Sequence, residues 1–149
     1  MDELREIARG IHPAALAEGG LTPALRTLAR RSAVPVRLDI RTTGRLPDAV
    51  ELAAYYIVAE ALTNVAKHAH ATSTDVSVED DNGCLLVRIQ DDGLGGADPA
   101  AGTGLMGLRD RVEALGGHLI VQSPRGKGTT LRISIPLTRP RPLVNPATP

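Results

Sequence analysis

Apolar and polar positions along the chain recur at two periods, and the switches between them mark out the elements. Leu4, Ile7, Ala8 and Ile11 repeat at helical spacing until His12-Pro13, because the residue before a proline resists the αR conformation. An amphipathic stretch this short is marginal alone, so residues 1–16 read as the tail of a longer helix. Thr22-Pro23 predicts an N-cap and a first helical position, with Leu25, Leu28 and Ala29 on the buried side. Val34, Val36, Leu38 and Ile40 alternate as a half-buried strand, which Pro35 pushes toward a sheet edge. Pro47 opens a long helix that ends near His68. Val76 and Val78, then Leu85, Val87 and Ile89, predict two strands joined through Asn82-Gly83, a strong hairpin signal.

A loop from Asp91 to Gly104 separates these strands from another amphipathic helix, marked by Leu105, Leu108, Val112 and Leu115 and closed by Gly116-Gly117. A last hairpin pairs Leu119 and Val121 with Leu131, Ile133 and Ile135 across residues 124–128. Residues 138–149 are Pro-rich with little apolar pattern and read as a disordered tail. Residues 17–137 then form one α/β domain. No regular alternation of strands and helices suggests parallel βαβ units, so the expected architecture is a two-layer α/β sandwich. Its helices would pack on one face of a mixed, mostly antiparallel sheet.

The longest predicted helix carries the strongest chemical signal. Glu60, Asn64, Lys67 and His68 fall within about 100° of one another at ~100° per residue, beside the apolar arc of Ile57, Val58, Ala61, Leu62 and Val65. A carboxylate, an amide, an amine and an imidazole at the edge of a core are costly to bury without partners. Glu60 and Asn64 lie one turn apart, which suits one oxygen ligand on Mg²⁺ and one carboxylate near a reacting phosphate. Lys67 and His68 could offset phosphate charge or simply serve the C-terminal helix dipole.

Three Gly-rich segments follow. In Gln90-Asp91-Asp92-Gly93-Leu94-Gly95-Gly96 a strand runs into a carboxylate able to accept from an exocyclic amine, although an Asp-Gly turn alone is common. Gly102-Thr103-Gly104-Leu105-Met106-Gly107 opens a helix and offers backbone N–H groups to an anion. It matches G-x-G-x-x-G, but no strand precedes it, which excludes the dinucleotide-fold reading. Gly126-Lys127-Gly128-Thr129 places a hydroxyl where a strand begins.

Composition narrows the classes. Seventeen basic residues balance seventeen acidic ones, and Tyr55 and Tyr56 are the only aromatics, which argues against a nucleic-acid groove. A single cysteine, Cys84, excludes an intrachain disulfide and fits a reducing compartment. No apolar run approaches the ~20 residues of a membrane span and no signal-peptide pattern opens the chain, so the expectation is a soluble, cytoplasmic domain without direct membrane contact.

Taken in order, these segments resemble the ATP-binding catalytic domain of sensor histidine kinases, within the superfamily of gyrase, heat-shock chaperone and mismatch-repair ATPases. The match spans roughly residues 21–137, with Glu60 to Ala69 similar to the asparagine box, and the three Gly-rich segments similar to the glycine boxes. Gly107-Leu-Arg-Asp-Arg-Val-Glu-Ala-Leu-Gly-Gly117 and Ile11-His-Pro13 resemble the nitrate-sensor and membrane-fluidity-sensor branch. The resemblance implies a Bergerat-type fold with ATP and Mg²⁺ as cofactors. Asn64 would hold Mg²⁺, Asp91 would receive the adenine amine, and Gly93, Gly95 and Thr129 would line the base pocket. Gly102, Gly104, Leu105 and Gly107 would close around the phosphates with Lys67 and His68 nearby, and Glu60 would be the catalytic base.

Two departures from the family pattern stand out. The lid between Gly96 and Gly102 is short and lacks Phe, and no histidine lies in a phosphoacceptor context. The implied partners are therefore dimerisation and phosphoacceptor helices lying outside this sequence, together with a cognate response regulator. The fragment would be a monomer unable to autophosphorylate, its parent a homodimer. An anti-sigma-type serine kinase and a non-catalytic nucleotide-binding module share the boxes and stand as the alternatives.

Overall fold

A computed structural model describes residues 14–42, 44–96 and 103–137. The order is α1 (Ala14–Gly19), α2 (Leu21–Arg31), β1 (Val36–Arg41), α3 (Asp48–Asn64), a π turn (Val65–Ala69), β2 (Thr74–Asp81), β3 (Cys84–Asp91), α4 (Thr103–Ala114), β4 (His118–Gln122) and β5 (Thr129–Pro136). The proposed helical remnant before Pro13, the lid over residues 97–102 and the tail over 138–149 lie outside the described residues.

The strands form one sheet in the order β1-β2-β3-β5-β4. β1 runs parallel to β2, and the other neighbours are antiparallel. The two-layer α/β sandwich and its mostly antiparallel sheet are thus as the sequence predicts, with β1 at an edge directly after Pro35. One expectation fails: β1, α3 and β2 make a βαβ unit. Alternation within each strand says which face is buried but nothing about direction. The crossover through α3 is what sets the two strands running the same way.

The buried layer follows strand alternation. Val76 and Val78 on β2, Leu85, Val87 and Ile89 on β3, and Leu131, Ile133 and Ile135 on β5 are all nearly inaccessible. Ile57, Val58, Ala61 and Leu62 of α3, with Leu108 and Val112 of α4, close over them. The opposite face carries Arg37, Asp39, Asp75, Arg88 and Gln90, which line a shallow depression of about 180 Å³. That hollow lies across the sheet from the buried layer, and its exposed Arg37–Asp75 pair at 3.7 Å adds little stability. The Asn82-Gly83 turn has positive φ at both residues (51° and 79°), as a tight two-residue hairpin requires.

Three local expectations need correction. The helix expected from Thr22-Pro23 begins at Leu21, because Leu21 is buried and joins the core. Pro23 falls inside the first turn, where its missing N–H has no helical partner to lose. Leu16, grouped by sequence with the preceding helix, is fully buried against the domain core. Residues Asp48–Lys67 are also long and apolar enough to cross a membrane by length and composition, contrary to the expectation. More than half of that stretch is buried in the domain, where α3 is the core helix.

Three polar residues, Glu51, Thr74 and Asp91, are buried among the described residues. Glu51 is 2 % exposed and accepts hydrogen bonds from Arg45 Nη2 (3.0 Å), Arg45 Nε (3.3 Å) and the Leu46 N–H (3.5 Å). This clamp ties the loop before α3 to the helix's first turn. Arg45→Ala should destabilise the chain by about 1–3 kcal/mol in urea denaturation, since it strands a buried carboxylate. Adding Glu51→Gln should restore part of that loss; a single change with no effect would show that the clamp contributes nothing.

Candidate nucleotide site

The central strand β3 ends in a carboxylate. In register with Asp91 stand Thr74 on β2 and Thr129 on β5, so three polar side chains form a row across the sheet. All three share the helix-covered face, because Asp91 follows Ile89, Val87 and Leu85 at period two and its neighbours match. Asp91 is 6 % exposed, and its Oδ1 accepts from the Gly93 N–H at 2.9 Å. Among the described residues no donor reaches Oδ2. Thr129 Oγ1 pairs with Ser123 Oγ at 2.7 Å. Thr74 Oγ1 is buried with no hydrogen-bond partner among the described residues. Thr74 is absent from the sequence-based assignment; it lies at the first position of a strand read only for its valines.

The loop after Asp91 is fixed by backbone contact with the β4–β5 turn. The Gly126 N–H donates to the Leu94 carbonyl (2.6 Å), and the Gly96 N–H to the Ser123 carbonyl (2.7 Å). A Cβ at Gly95 would stand 2.1 Å from the Pro124 carbonyl oxygen, and one at Gly128 2.0 Å from the Asp91 carbonyl oxygen. Those two glycines therefore exist for the close approach of two chain segments. Gly93 meets Asp91 directly, whereas Gly95 meets the hairpin turn. Gly128, quoted in the sequence motif but given no role there, is the closer contact to the Asp91 backbone.

Asp92 anchors the other side. Its carboxylate accepts from the Thr72 hydroxyl, the Thr72 N–H (2.7 Å) and the Ser73 N–H (3.0 Å). These bonds, the Thr72 hydroxyl foremost, hold its pKa down from 3.8 to about 2. The start of β2 and the end of β3 are thereby locked at the row of polar groups.

The long helix supplies the remaining candidates. α3 packs against β3 and α4, and Glu60 and Asn64 are half-buried on its last turns. The 100° stepping that aligned four polar residues holds only as far as Asn64. From Val65 the helix widens into a π turn that ends at His70 in the left-handed region (φ 52°). Lys67, in that turn, is exposed; for His68 only the backbone is described. Single π turns inside helices often mark functional sites. α4 begins at Thr103, so Gly104 is helical, while Gly102 lies outside the described residues. Leu105 packs partly against the core. At Gly107 a Cβ would meet no atom of the described residues within 4 Å, so nothing in the surrounding packing explains a glycine inside this helix.

Comparison with known proteins decides the family. Residues 49–139 match the model for the histidine kinase-, DNA gyrase B- and HSP90-like ATPases. The chain belongs to that family. ATP is accordingly its nucleotide. The signal transduction histidine-protein kinase/phosphatase DegS of Brevibacillus brevis is 34% identical over 144 residues, covering 91% of this chain and 37% of that protein. The sensor histidine kinase NarS of Mycobacterium tuberculosis is 35% identical over 151 residues, covering 93% of this chain and 34% of that protein. The histidine kinase domain of the Erythrobacter litoralis EL346 blue-light activated histidine kinase superposes with a TM-score of 0.57 at 27% identity, over 78% of this chain and 61% of that one. The chain thus spans a little over a third of the length of these curated relatives.

The residues present fit a nucleotide. Asp91 keeps one carboxylate oxygen open to a donor, and a Cβ at Gly107 would meet open space; a base edge and a phosphate chain require such features. Asn64 offers an amide oxygen at a half-buried helix end. The described residues contain no cluster of three or more His, Cys, Asp or Glu side chains able to hold a metal by themselves. Mg²⁺, which takes one or two protein ligands and completes its shell with phosphate oxygens and water, fits a single side chain.

Two outcomes are expected here. Because the Asp92 pKa is lowered on folding, its contribution to the local structure is present above pH about 4 and lost as pH falls toward about 2. Amide exchange at Thr72 and Ser73 should accelerate over that window, and Asp92→Asn should remove the pH dependence. Gly107→Ala should raise stability by about 0.5–1 kcal/mol while weakening nucleotide binding. Thermal unfolding and calorimetry on the same sample check both directions, and unchanged affinity would detach Gly107 from the site.

Proposed function

We propose that this chain is the ATP-binding catalytic domain of a two-component sensor histidine kinase. It would hold Mg·ATP and present the γ-phosphoryl group to a phosphoacceptor histidine on dimerisation helices outside these 149 residues. The observation that carries the reading is the buried Asp91 carboxylate at the end of the central strand, with Oδ1 occupied by Gly93 and Oδ2 left for a ligand. The similarity of whole curated sensor kinases over nine-tenths of this chain supports it.

Each residue then has a physical task. Asp91 accepts the adenine amine, and Gly93 keeps the carboxylate oriented. Asn64 holds Mg²⁺, and Glu60, one turn earlier, orients the attacking group. The N-terminal turn of α4, with Gly102, Gly104 and Leu105, directs backbone N–H groups at the phosphates, while Lys67 and His68 offset their charge. Bound ATP supplies the phosphoryl group, and the protein contributes positioning and charge neutralisation. A response regulator would take the phosphoryl group onward. The domain would work in the cytoplasm, as a monomer by itself and within a dimeric parent.

Calorimetric titration with a non-hydrolysable ATP analogue tests the site. The intact chain should bind in the presence of Mg²⁺, and Asp91→Asn should weaken binding about 10- to 100-fold, the range for a hydrogen bond to a charged group. Asn64→Ala should abolish the difference made by Mg²⁺. Equal binding by the Asp91 variant would sink the assignment. Phosphorylation of added dimerisation helices from a homologous sensor kinase would separate a kinase domain from a module that only binds nucleotide.

A further inference from the structure

The face of the sheet turned away from the helices is charged unevenly. Alternation puts Arg37 and Arg41 of β1, Arg88 of β3 and Arg132 of β5 on that side. On β1 each arginine has a carboxylate beside it: Arg37 Nε lies 3.7 Å from Asp75, and Arg41 Nη2 lies 3.3 Å from Asp39. The two central arginines have none. Arg88 donates to the Gln90 amide oxygen (2.7 Å), and the Arg132 side chain makes no hydrogen bond or ion pair among the described residues. β3, β4 and β5 place no acidic residue on this face.

The sheet register sets these two cations side by side. Arg88 and Arg132 are direct cross-strand neighbours, so their Cβ atoms stand about 4.5–5.5 Å apart, and like charges so placed are destabilising. Both are exposed, and a threonine at either position would suit a solvated strand at no such cost. The row continues to Ile120 of β4, the direct neighbour of Arg132. Ile120 is 55 % exposed where a solvated face calls for a polar residue. With strands about 4.8 Å apart, Ile120, Arg132 and Arg88 span about 10 Å across the sheet. Arg88 also lines the shallow hollow of about 180 Å³, which gives a bound side chain room beside it.

We propose that this half of the open face docks an acidic segment of a partner protein, its carboxylates bridging Arg88 and Arg132 and an adjacent apolar side chain covering Ile120. Charge complementarity selects the occupant. Repulsion between two unpaired guanidiniums becomes attraction once carboxylates lie between them, and each guanidinium offers a fork of donors that matches a carboxylate. A basic or neutral segment would gain neither. The surface lies across the sheet from Asp91, so it leaves the nucleotide site open and does not depend on that site's assignment.

The test titrates the full chain with a short labelled peptide of glutamates around one leucine, and with a second peptide carrying glutamines in their place. Anisotropy should show the acidic peptide binding, more weakly as salt is raised, and the glutamine peptide binding about 10-fold less well. Arg132→Glu should weaken the acidic peptide about 10-fold, whereas Arg37→Glu should leave it unchanged. Amide shifts should move at Arg88, Arg132 and Ile120. Arg132→Glu should unfold at the same urea concentration as the wild type or a higher one, because it replaces a like-charge pair with an opposite one, so lost binding would not reflect lost folding. Its affinity for an ATP analogue should not change. No binding of the acidic peptide, equal binding of the two peptides, shifts confined to the β4–β5 turn with Arg125 and Lys127, or binding that survives Arg132→Glu would overturn the proposal. Self-association of the chain that Arg132→Glu abolishes would overturn it too, by making a second copy the occupant.

Discussion

Burying a carboxylate at the end of the central strand is the constraint around which the rest is arranged. Asp91 is almost inaccessible, and a polar group in that position needs hydrogen-bond partners. One oxygen is answered from within by Gly93, and the other is left open. Everything adjacent holds that geometry. Asp92 fastens the start of β2, and the β4–β5 turn presses against the loop beyond Asp91 so closely that Gly95 and Gly128 have no room for a side chain. Contacts of this kind hold a hydrogen-bonding edge in place without help from a ligand.

The helix layer meets different demands. α3 must bury an apolar arc and still end in polar side chains. It does so by placing Ile57, Val58, Ala61 and Leu62 on the sheet and leaving Glu60 and Asn64 half-buried beside them. The change to a π turn at Val65 separates the fate of Asn64 from that of Lys67. Up to Asn64 the side chains lie on or beside the core; in the wider turn Val65 is still buried, whereas Lys67 is exposed. Metal binding and charge offset, the two roles expected of this helix, thus fall on different segments, the α-helix and the π turn.

Chain and relatives agree on scope. The match to a single ATPase family model covers the long helix, the glycine segments and strands β2 to β5, while sensor kinases similar along nine-tenths of this chain are nearly three times its length. A nucleotide site is a property of these residues.

Much of this was legible in the residues themselves. Period-two alternation gave the core faces of β2, β3 and β5, Asn82-Gly83 gave the hairpin, and the apolar arc of α3 gave its buried side, because each depends on neighbours a few positions away. Asp91 could be singled out because a strand running into Asp-Asp-Gly is a local pattern. Tertiary structure decided what distant segments do to one another. The parallel pairing of β1 with β2 follows from a crossover, the start of α2 from the burial of Leu21, and the need for Gly95 and Gly128 from backbones meeting across the fold. Thr74 is the clearest case. In the sequence it is one threonine among Thr72, Ser73 and Thr74, and only sheet register sets it beside Asp91 while burial denies it water, since pairing and desolvation are properties of the assembled sheet.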